Sequence, residues 1–290
     1  MVDSASTDNG PELLEKALRI KGLPKTKIRS IRLGTTTPSS SKNLGVLQAR
    51  CPWVAFMDCG QNFSRFWLQQ QWVLTRAKPR RDVVYGSCRL KGKGVIDACA
   101  VAQSYGYSKL VATIPGSIIR KNLFKKVGFF PHNRRAGYDV AWRQRVKKMG
   151  IQSRFPTKPC IAYESHAHAC GFLPLLRKNF SYSRATVGLQ SFWKELAYPG
   201  LFILLGGLVW WRPALFLYIA VIYFLLRGYA WPALRSSKIL ELYKKFPLSI
   251  AVLPWAAFVI DLGRLSGVFA GYIFGKEVEH KFSYAEIQDE

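Results

Sequence analysis

Residues 27–57, KIRSIRLGTTTPSSSKNLGVLQARCPWVAFM, carry the pattern that decides the fold. Within them, KIRSIRL at 27–33 is predicted to form a strand, residues 43–50 a helix, and the apolar WVAFM at 53–57 a short buried strand. A further strand, VVY, is predicted at 83–85. Strands that alternate with helices are typical of an α/β domain with a mostly parallel sheet. In such a domain, ligands bind beyond the carboxyl ends of the strands.

The composition limits the class of protein. Of 290 residues, 49% are hydrophobic, and 43 Lys and Arg against 17 Asp and Glu give a formal net charge of +26. A single hydrophobic core rarely needs more than about 150 to 250 residues, so we expect one domain and an additional region. The hydrophobic share argues against a disordered chain. A protein this basic needs an anionic partner: nucleic acid, the anionic face of a membrane, or a phosphorylated small molecule.

The six cysteines do not form a recognisable site. Because the sequence has no C-x-x-C pair, their spacing fits neither a zinc site nor the disulfide framework of a small secreted domain, and we expect reduced thiols. They are Cys51, Cys59, Cys88, Cys99, Cys160 and Cys170. The low-complexity patch TTTPSSS at 35–41 is predicted to be a loop.

Residues 198–231 have the composition of a membrane segment. Their only charged side chains are Arg212 and Arg227, and aromatic residues flank the apolar runs as they do at membrane interfaces. A span needs roughly 20 apolar residues, with about 17 still sufficient. The Arg-Pro pair that begins at Arg212 therefore predicts a helical hairpin with two spans, near 198–211 and 214–231. The alternative is a pair of buried helices in a soluble domain.

A third apolar segment occupies residues 247–275. It contains Asp261 and Arg264, whose spacing of three residues lets them pair on one helix face. This segment is predicted either to span the membrane or to lie along its interface.

The chain is predicted to contain a soluble domain at residues 1–190 and a membrane region at 191–290. Polar residues follow Met1, so we expect no cleavable signal and a domain that stays in the cytoplasm. Residues 120–158 contain twelve Lys and Arg and a single acid. By the positive-inside rule, this charge places the domain and both ends of the hairpin on the cytoplasmic side. Anionic membrane lipids are therefore a predicted partner of a multi-pass protein.

Asp58 closes the apolar strand at 53–57 and precedes Cys-Gly-Gln-Asn. Its carboxylate would project from the strand end into the ligand crevice of an α/β domain. One or two carboxylates together with substrate phosphates commonly bind Mg²⁺. The alternative is an aspartate that starts a turn by bonding its own backbone.

Asp139 is the single acid of the basic region. It precedes Trp142, Val146 and Met149, whose helical spacing places the aspartate in the first turn of a helix. A helix N-terminus favours the ionised carboxylate. Such a group could act as general base toward a hydroxyl within hydrogen-bond reach, or could serve only as a helix cap.

Five segments, in chain order, resemble the motifs of glycosyltransferase family 2. The resemblance covers about residues 2–190. The segments are VDSASTDN at 2–9, KNLGVLQA at 42–49, FMDCG at 56–60, PGSIIRKNLFKKVGFF at 115–130 and GYDVAWRQRVKKMG at 137–150.

This resemblance implies a GT-A fold, a nucleotide-sugar donor and a divalent metal, Mg or Mn. By position, Asp3 would contact the nucleotide base, Asp58 would face the donor diphosphate and its metal, and Asp139 would deprotonate the acceptor hydroxyl. The remaining donor-side residues implied are Lys42, Asn43, Gly116 and Arg184, with Arg177 as the alternative to Arg184 for a diphosphate contact. The developing charge on a nucleoside diphosphate leaving group needs a cation or basic side chains to stabilise it.

The sequence also departs from the family pattern. It begins inside the first motif, so the opening strand of the fold is expected to be missing. Ser4 replaces the second acid of that motif, and Gly60 replaces the second acid of D-x-D, which leaves one carboxylate for the metal. The Q-x-x-R-W motif of processive synthases is missing, which favours a non-processive enzyme, and the resemblance implies inversion.

The favoured hypothesis is a membrane-bound glycosyltransferase. It would move one sugar to a lipid-linked or polysaccharide-precursor acceptor at the cytoplasmic membrane face. The alternative is a catalytically inactive, membrane-anchored relative that acts as a scaffold. A nucleic-acid binder is disfavoured, because the sequence has neither a recognition-helix motif nor an aromatic RNA-binding signature.

Overall fold

The computed structural model describes residues 2–4, 6–10, 12–13, 16, 31–34, 36–163, 170–189, 200, 203–204 and 206–275. They fall into two compact units. Unit 1 contains the described residues up to Val54 together with Arg120–Ile151. Unit 2 contains Ala55–Ile119 and the described residues from Gln152 onward.

Strands and helices alternate along the chain as the sequence pattern predicts, which confirms the α/β class. In chain order the elements are β1 (Val2–Ser4), β2 (Ile31–Leu33), α1 (Pro38–Gln48), β3 (Trp53–Ala55), β4 (Gln61–Phe63), α2 (Trp67–Arg76), β5 (Val83–Arg89), α3 (Val95–Ser104), β6 (Leu110–Arg120), α4 (Asn122–Val127), α5 (Tyr138–Lys148), β7 (Ser153–Arg154), β8 (Ile161–Tyr163), α6 (Phe172–Thr186), α7 (Leu215–Tyr223), a π-helix (Phe224–Ala230), α8 (Trp231–Arg235), α9 (Ile239–Lys245) and α10 (Ser249–Ile273).

In unit 1, the strands β1 and β2 pair in parallel, with Val2 opposite Ile31. The helix α1 begins earlier than predicted, so the prediction of a loop for all of 35–41 is wrong. Thr37 is the N-cap, its hydroxyl accepts a hydrogen bond from the Ser40 amide, and Pro38 occupies the first turn. Hydroxyl caps followed by proline favour a helix start, which is why a patch rich in Ser, Thr and Pro becomes helical here.

The main sheet is mixed in direction rather than mostly parallel. In unit 2 the strand order is β6-β5-β8-β4, with β7 also beside β5. The strands β5 and β6 run antiparallel, as do β4 and β8, whereas β8 and β7 run parallel to β5. Just after β3, the backbone of Phe56 pairs with Gly116 and Ser117 of β6.

A large bulge interrupts β6 opposite a glycine of β5. Ile118 pairs with Val84, but the next pair along the ladder joins Thr113 to Gly86, so four residues of β6 are set apart from the ladder. A Cβ atom on Gly86 would lie only 1.9 Å from the Pro115 carbonyl oxygen. The bulge therefore requires glycine at position 86.

Replacing Gly86 with alanine is expected to destabilise the protein by about 1–3 kcal/mol, because backbone atoms must move to admit the new methyl group. Gly34→Ala is the matched control, since a Cβ there meets nothing within 4 Å, and its effect should stay within about 0.5 kcal/mol. Denaturant unfolding of both variants measures the difference. Equal stability of the two variants would contradict the close approach.

Four helices of unit 2 share a hydrophobic core. It joins α3, α6, α9 and α10 through buried apolar residues that include Cys99, Leu175, Leu242, Leu253 and Ile260. Burial raises the pKa of the Cys99 thiol to about 12. All six cysteines are free thiols, three of them buried.

Among the described residues, two helical segments are long and apolar enough to cross a membrane, Leu215–Arg235 and Ser249–Ile273. They overlap the apolar segments near 214–231 and 247–275, whose insertion in a membrane stays a prediction. The predicted span near 198–211 lies partly outside the described residues.

A buried charged cluster joins these two segments to α3. Arg227 donates two hydrogen bonds to the Asp261 carboxylate, Nε to Oδ2 at 2.8 Å and Nη2 to Oδ1 at 2.9 Å. The Tyr223 hydroxyl donates to the same carboxylate, and Arg227 also donates to the side-chain oxygen of Gln103 on α3. Arg264, the partner expected from the sequence, lies 3.9 Å from Asp261 and is the weaker contact.

Candidate functional site

Asp139 lies in the first turn of α5, as predicted. The N-cap position belongs to Gly137, whose φ is +75°, so the aspartate is not the cap of its own helix. Its side chain is 34% exposed, and its Oδ2 lies 3.7 Å from Nη2 of Arg143 one turn later. The carboxylate is therefore accessible, sits at the positive end of a helix dipole and has a cation beside it.

The opposite face of α5 is anchored in an aromatic cluster. Trp142 is fully buried and stacks on Phe124 with ring centroids 5.1 Å apart. Its indole nitrogen donates to the carbonyl of Gly128 at 2.8 Å. Arg145 donates to the carbonyl of Phe129, and burial lowers the pKa of its guanidinium. These contacts fix the orientation of the turn that carries Asp139.

Asn43 supports the same region from α1. Its amide nitrogen donates to the Phe130 carbonyl at 2.9 Å, and its amide oxygen accepts from the Phe130 backbone nitrogen at 3.0 Å. The side chain is fully buried. We therefore assign Asn43 a positioning role, and its predicted contact with a donor stays a prediction.

Hydroxyls at the start of α1 hold the turn that leads to α5. Ser40 contacts both the side chain and the amide of Asn133, and the amide of Arg134 donates to the Ser39 hydroxyl at 3.0 Å. Asn133 has a φ of +51°, a left-handed conformation that asparagine tolerates better than most residues. The hydroxyls of Ser39 and Ser40 thus position the turn that precedes α5 through tertiary contacts.

Lys42 contacts the residue that precedes Asp139 in the chain. Its Nζ is 5.6 Å from the ring centroid of Tyr138, the residue immediately before Asp139. The same ring packs edge-on against Phe130 at 5.7 Å. Lys42 and Asn43 therefore contact Tyr138 and Phe130, which lie in and just before the helix that carries Asp139.

Asp3 is held by its own neighbourhood in unit 1. It is 7% exposed, its Oδ1 accepts from the Ser6 hydroxyl, and its Oδ2 lies 3.5 Å from Nε of Arg32. Ser4, which replaces an acid of the family motif, bonds both the amide and the carbonyl of Thr36. These contacts fasten β1 to the start of α1, and a role of Asp3 toward a nucleotide base stays a prediction.

Asp58 belongs to unit 2, in the connection between β3 and β4. The side chain is half-buried and lies two residues beyond Phe56, whose backbone pairs with β6. Gly60, in the left-handed region at φ +73°, turns the chain into β4. In the described part of the chain, no group of three or more His, Cys, Asp and Glu could enclose a metal ion. One carboxylate fits a metal that takes most ligands from phosphate and water, as Mg²⁺ commonly does.

Gly116 lies in the bulge of β6 and stabilises it. Its carbonyl accepts from the Trp67 indole and from the Gln71 amide nitrogen, each at 2.7 Å. Its φ is +79°, and a Cβ would approach the Ile161 side chain to 2.7 Å. The P-G-S segment is thus needed for packing, whether or not it also contacts a donor.

Arg184 lies on α6. Its Nε donates to the carbonyl of Gly275 just beyond α10, at 3.1 Å. The structure places this arginine at a helix end, and its predicted contact with a diphosphate stays a prediction.

Two residues that position these elements escape sequence reasoning. Gln71 is fully buried and links α2 to β5 through Tyr85 and to the bulge through Gly116. Tyr138 contacts Lys42 beside the candidate base. A glutamine in the middle of an amphipathic helix and an aromatic residue next to Asp139 were the only signals available.

No protein-family model and no curated protein matches the chain. Several solved structures resemble it weakly. TarS residues 1–349 from S. aureus, in complex with UDP-GlcNAc, aligns at a TM-score of 0.43 and 13% identity over 98% of this chain and 84% of that one. The mannosyltransferase PcManGT from Pyrobaculum calidifontis, in complex with GDP-Man and Mn²⁺, aligns at a TM-score of 0.43 and 14% identity. The alignment covers 99% of this chain and 68% of that one. Likeness at this level supports no residue-by-residue correspondence.

Proposed function

We propose that this protein is a glycosyltransferase, of the kind its motifs resemble in family 2, which moves one sugar from a nucleotide-sugar donor to an acceptor hydroxyl. The observation that carries the proposal is the setting of Asp139. An anchored helix presents this carboxylate at its N-terminus, partly exposed and beside a cation. Five motif-like segments in the family order support the same reaction.

In the proposed reaction, Asp139 accepts the proton of the acceptor hydroxyl. The acceptor oxygen forms a bond to the anomeric carbon as the bond from that carbon to the diphosphate oxygen breaks. The electron pair leaves with the nucleoside diphosphate. A single displacement of this kind inverts the configuration at the anomeric carbon, and a general base contributes about 10²- to 10⁴-fold to such a step.

On the donor side, we propose that Asp58 holds a divalent metal, Mg or Mn, together with the donor diphosphate. When bound, the metal would neutralise charge that develops on the leaving group. Asp3 is proposed to face the nucleotide base, with Lys42, Asn43, Gly116 and Arg184 contributing to the donor site directly or through the contacts described above.

We propose that the acceptor is lipid-linked or a polysaccharide precursor, reached at the cytoplasmic face of a membrane. The segment Leu215–Arg235 is apolar and mostly unburied, and with residues 198–211 it would form a hairpin inserted into the bilayer. Basic residues near such segments favour the cytoplasmic side and anionic lipids.

Nucleoside diphosphate release tests the function directly. Membranes that contain the protein are incubated with a panel of UDP- and GDP-sugars and a membrane lipid extract. We expect release above that of membranes without the protein for at least one donor, and stronger release when the extract is present. If no donor gives more nucleoside diphosphate than membranes without the protein, the scaffold alternative is favoured.

Replacing Asp58 with asparagine is expected to raise the concentration of Mg²⁺ or Mn²⁺ needed for half-maximal activity by about 10- to 100-fold. The physical reason is the loss of the one carboxylate ligand. Asp82→Asn is the control, because Asp82 is also a half-buried aspartate of unit 2 and has no assigned role. A metal titration that is the same for both variants would remove Asp58 from the donor site.

A further inference from the structure

The helix α10 has two different faces. Along one face, five large apolar side chains are each 39–56% exposed. This outer stripe consists of Trp255, Phe258, Leu262, Phe269 and Tyr272. Their spacing of three, four, seven and three residues keeps them on one side of a helix.

The opposite face of α10 packs against α6 through small residues. A Cβ added at Gly263 would lie 2.8 Å from the Leu176 carbonyl oxygen, and one at Gly267 would lie 2.3 Å from that of Phe180. Gly271 makes a similar close contact with Val187. Because these approaches leave no room for side chains or lipid, α6 accompanies the second half of α10.

This partner helix is unsuited to a bilayer interior. The helix α6 has 15 residues, about 22 Å at 1.5 Å per residue, against a hydrocarbon thickness of about 30 Å. It also carries Arg177, Lys178 and Arg184. Charges of this number in a short helix are costly within hydrocarbon.

The first half of α10 packs against the sheet-bearing part of unit 2. Leu253, Ala256 and Ile260 share the hydrophobic core with residues of α3, which connects β5 to β6 in the chain. Lipid cannot surround this half of the helix either.

The segment that leads into α10 is also bonded to the sheet-bearing part of unit 2. The Tyr107 amide donates to the Ser236 hydroxyl at 2.8 Å, and the Ser237 amide donates to the Tyr107 carbonyl at 3.1 Å. Lys91 and Glu241 form an ion pair at 2.6 Å. Both ends of α10 are therefore fixed to elements that must stay on one side of a membrane.

We infer that α10 does not cross the bilayer but lies on its cytoplasmic surface, with the outer stripe facing anionic lipid. This inference rests on the membrane attachment proposed above and decides how the third apolar segment takes part in it.

Charge around α10 matches an anionic lipid surface. Residues 235–275, which lead into α10 and form it, carry five Lys and Arg against two acids. Just before α10, Lys238, Lys244 and Lys245 line a shallow surface depression of about 620 Å³ together with Leu240 and Glu241. Basic residues near a membrane surface contribute about 1 kcal/mol each to binding anionic lipid.

Depth measurement tests the inference with the whole protein in vesicles of phosphatidylcholine and phosphatidylserine. In a background with the exposed Cys51, Cys59 and Cys170 replaced by serine, Leu262→Cys carries a fluorophore near the middle of α10. We expect lipids with a shallow (position 5) nitroxide to quench it at least twofold more than lipids with a deep (position 12) nitroxide. The reverse order would show that α10 spans, and no quenching by either lipid would show that the outer stripe is not on lipid.

Cysteine accessibility provides the second test. Lys244→Cys and Lys276→Cys, in sequence before and after α10, are both expected to react with a membrane-impermeant maleimide from the cytoplasmic side of sealed vesicles. The native Cys59, kept alone, marks the side of the sheet-bearing unit. Reaction of one engineered cysteine only after the vesicles are opened would overturn the inference. Donor turnover in the same vesicles is measured separately, so a failed inference is distinguishable from a failed function.

Discussion

The Asp139→Asn protein is expected to transfer sugar about 10²- to 10⁴-fold more slowly than the unchanged protein, while it still binds the donor. Asparagine keeps the size of the side chain but cannot accept the acceptor proton. The helix should remain in place, because its anchors are the buried Trp142 and its bond to Gly128, which the substitution does not touch.

Two measurements separate a loss of catalysis from a loss of folding. Donor binding is measured by the shift in thermal unfolding on adding nucleotide-sugar, and turnover by nucleoside diphosphate release. Asp82→Asn is again the control and should transfer at the normal rate. If Asp139→Asn also transfers at the normal rate, Asp139 is only a structural residue of α5, and another group must accept the proton.

The Arg227→Met protein is expected to be less stable by about 3–5 kcal/mol, because a buried carboxylate loses its main partner. Asp261 is 1% exposed and Arg227 15% exposed at the side chain, so water cannot replace the lost hydrogen bonds. For a protein of this size the loss corresponds to a decrease in Tm of roughly 6–20 °C. Thermal unfolding of the whole protein in detergent measures it.

Two further variants identify the cause. The double variant Arg227→Met with Asp261→Leu removes both charges and should recover most of the lost stability, because no unpaired buried charge remains. Lys238→Met breaks only an exposed ion pair with Glu241, 3.5 Å long, and should change stability by less than about 1 kcal/mol. If the double variant is no more stable than the single one, the cost lies in packing rather than in the unpaired carboxylate.

Features with a local cause could be predicted from the sequence. The helix around Asp139 was one of them, because Trp142 and Val146 recur at helical spacing and both are buried. The strand at 53–57 was another, since a short apolar run before Asp58 is a local signal. Its observed bounds, Trp53–Ala55, are shorter because Phe56 leaves the strand to pair at the bulge.

Features that depend on distant partners could not be predicted. The buried Asn43 bonds a backbone 87 residues away, and the hydroxyl of Ser40 meets Asn133 across 93 residues. Similarly, a spacing of three residues suggested Arg264 for Asp261, but the closer partner is Arg227, 34 residues earlier. Local spacing identifies a candidate ion pair, and packing decides which partner has the better geometry.

The same reasoning explains the mixed sheet. Strand and helix alternation predicts the α/β class, but the direction of each strand depends on where the chain returns. After α3, β6 returns beside β5 in the antiparallel direction. The long bulge of β6 is stabilised by Trp67 and Gln71, more than 40 residues earlier in the chain.

Sugar transfer to membrane lipid is the measurement that tests the proposed function most directly. Membranes that contain either the unchanged protein or Asp139→Asn are incubated with a radiolabelled nucleotide-sugar, the divalent metal and a membrane lipid extract, and the label in the extracted lipid is counted. We predict labelled lipid with the unchanged protein and at least a hundredfold less with Asp139→Asn. Equal labelling with both proteins would contradict the role of Asp139, and no labelling with any donor would contradict glycosyl transfer to lipid.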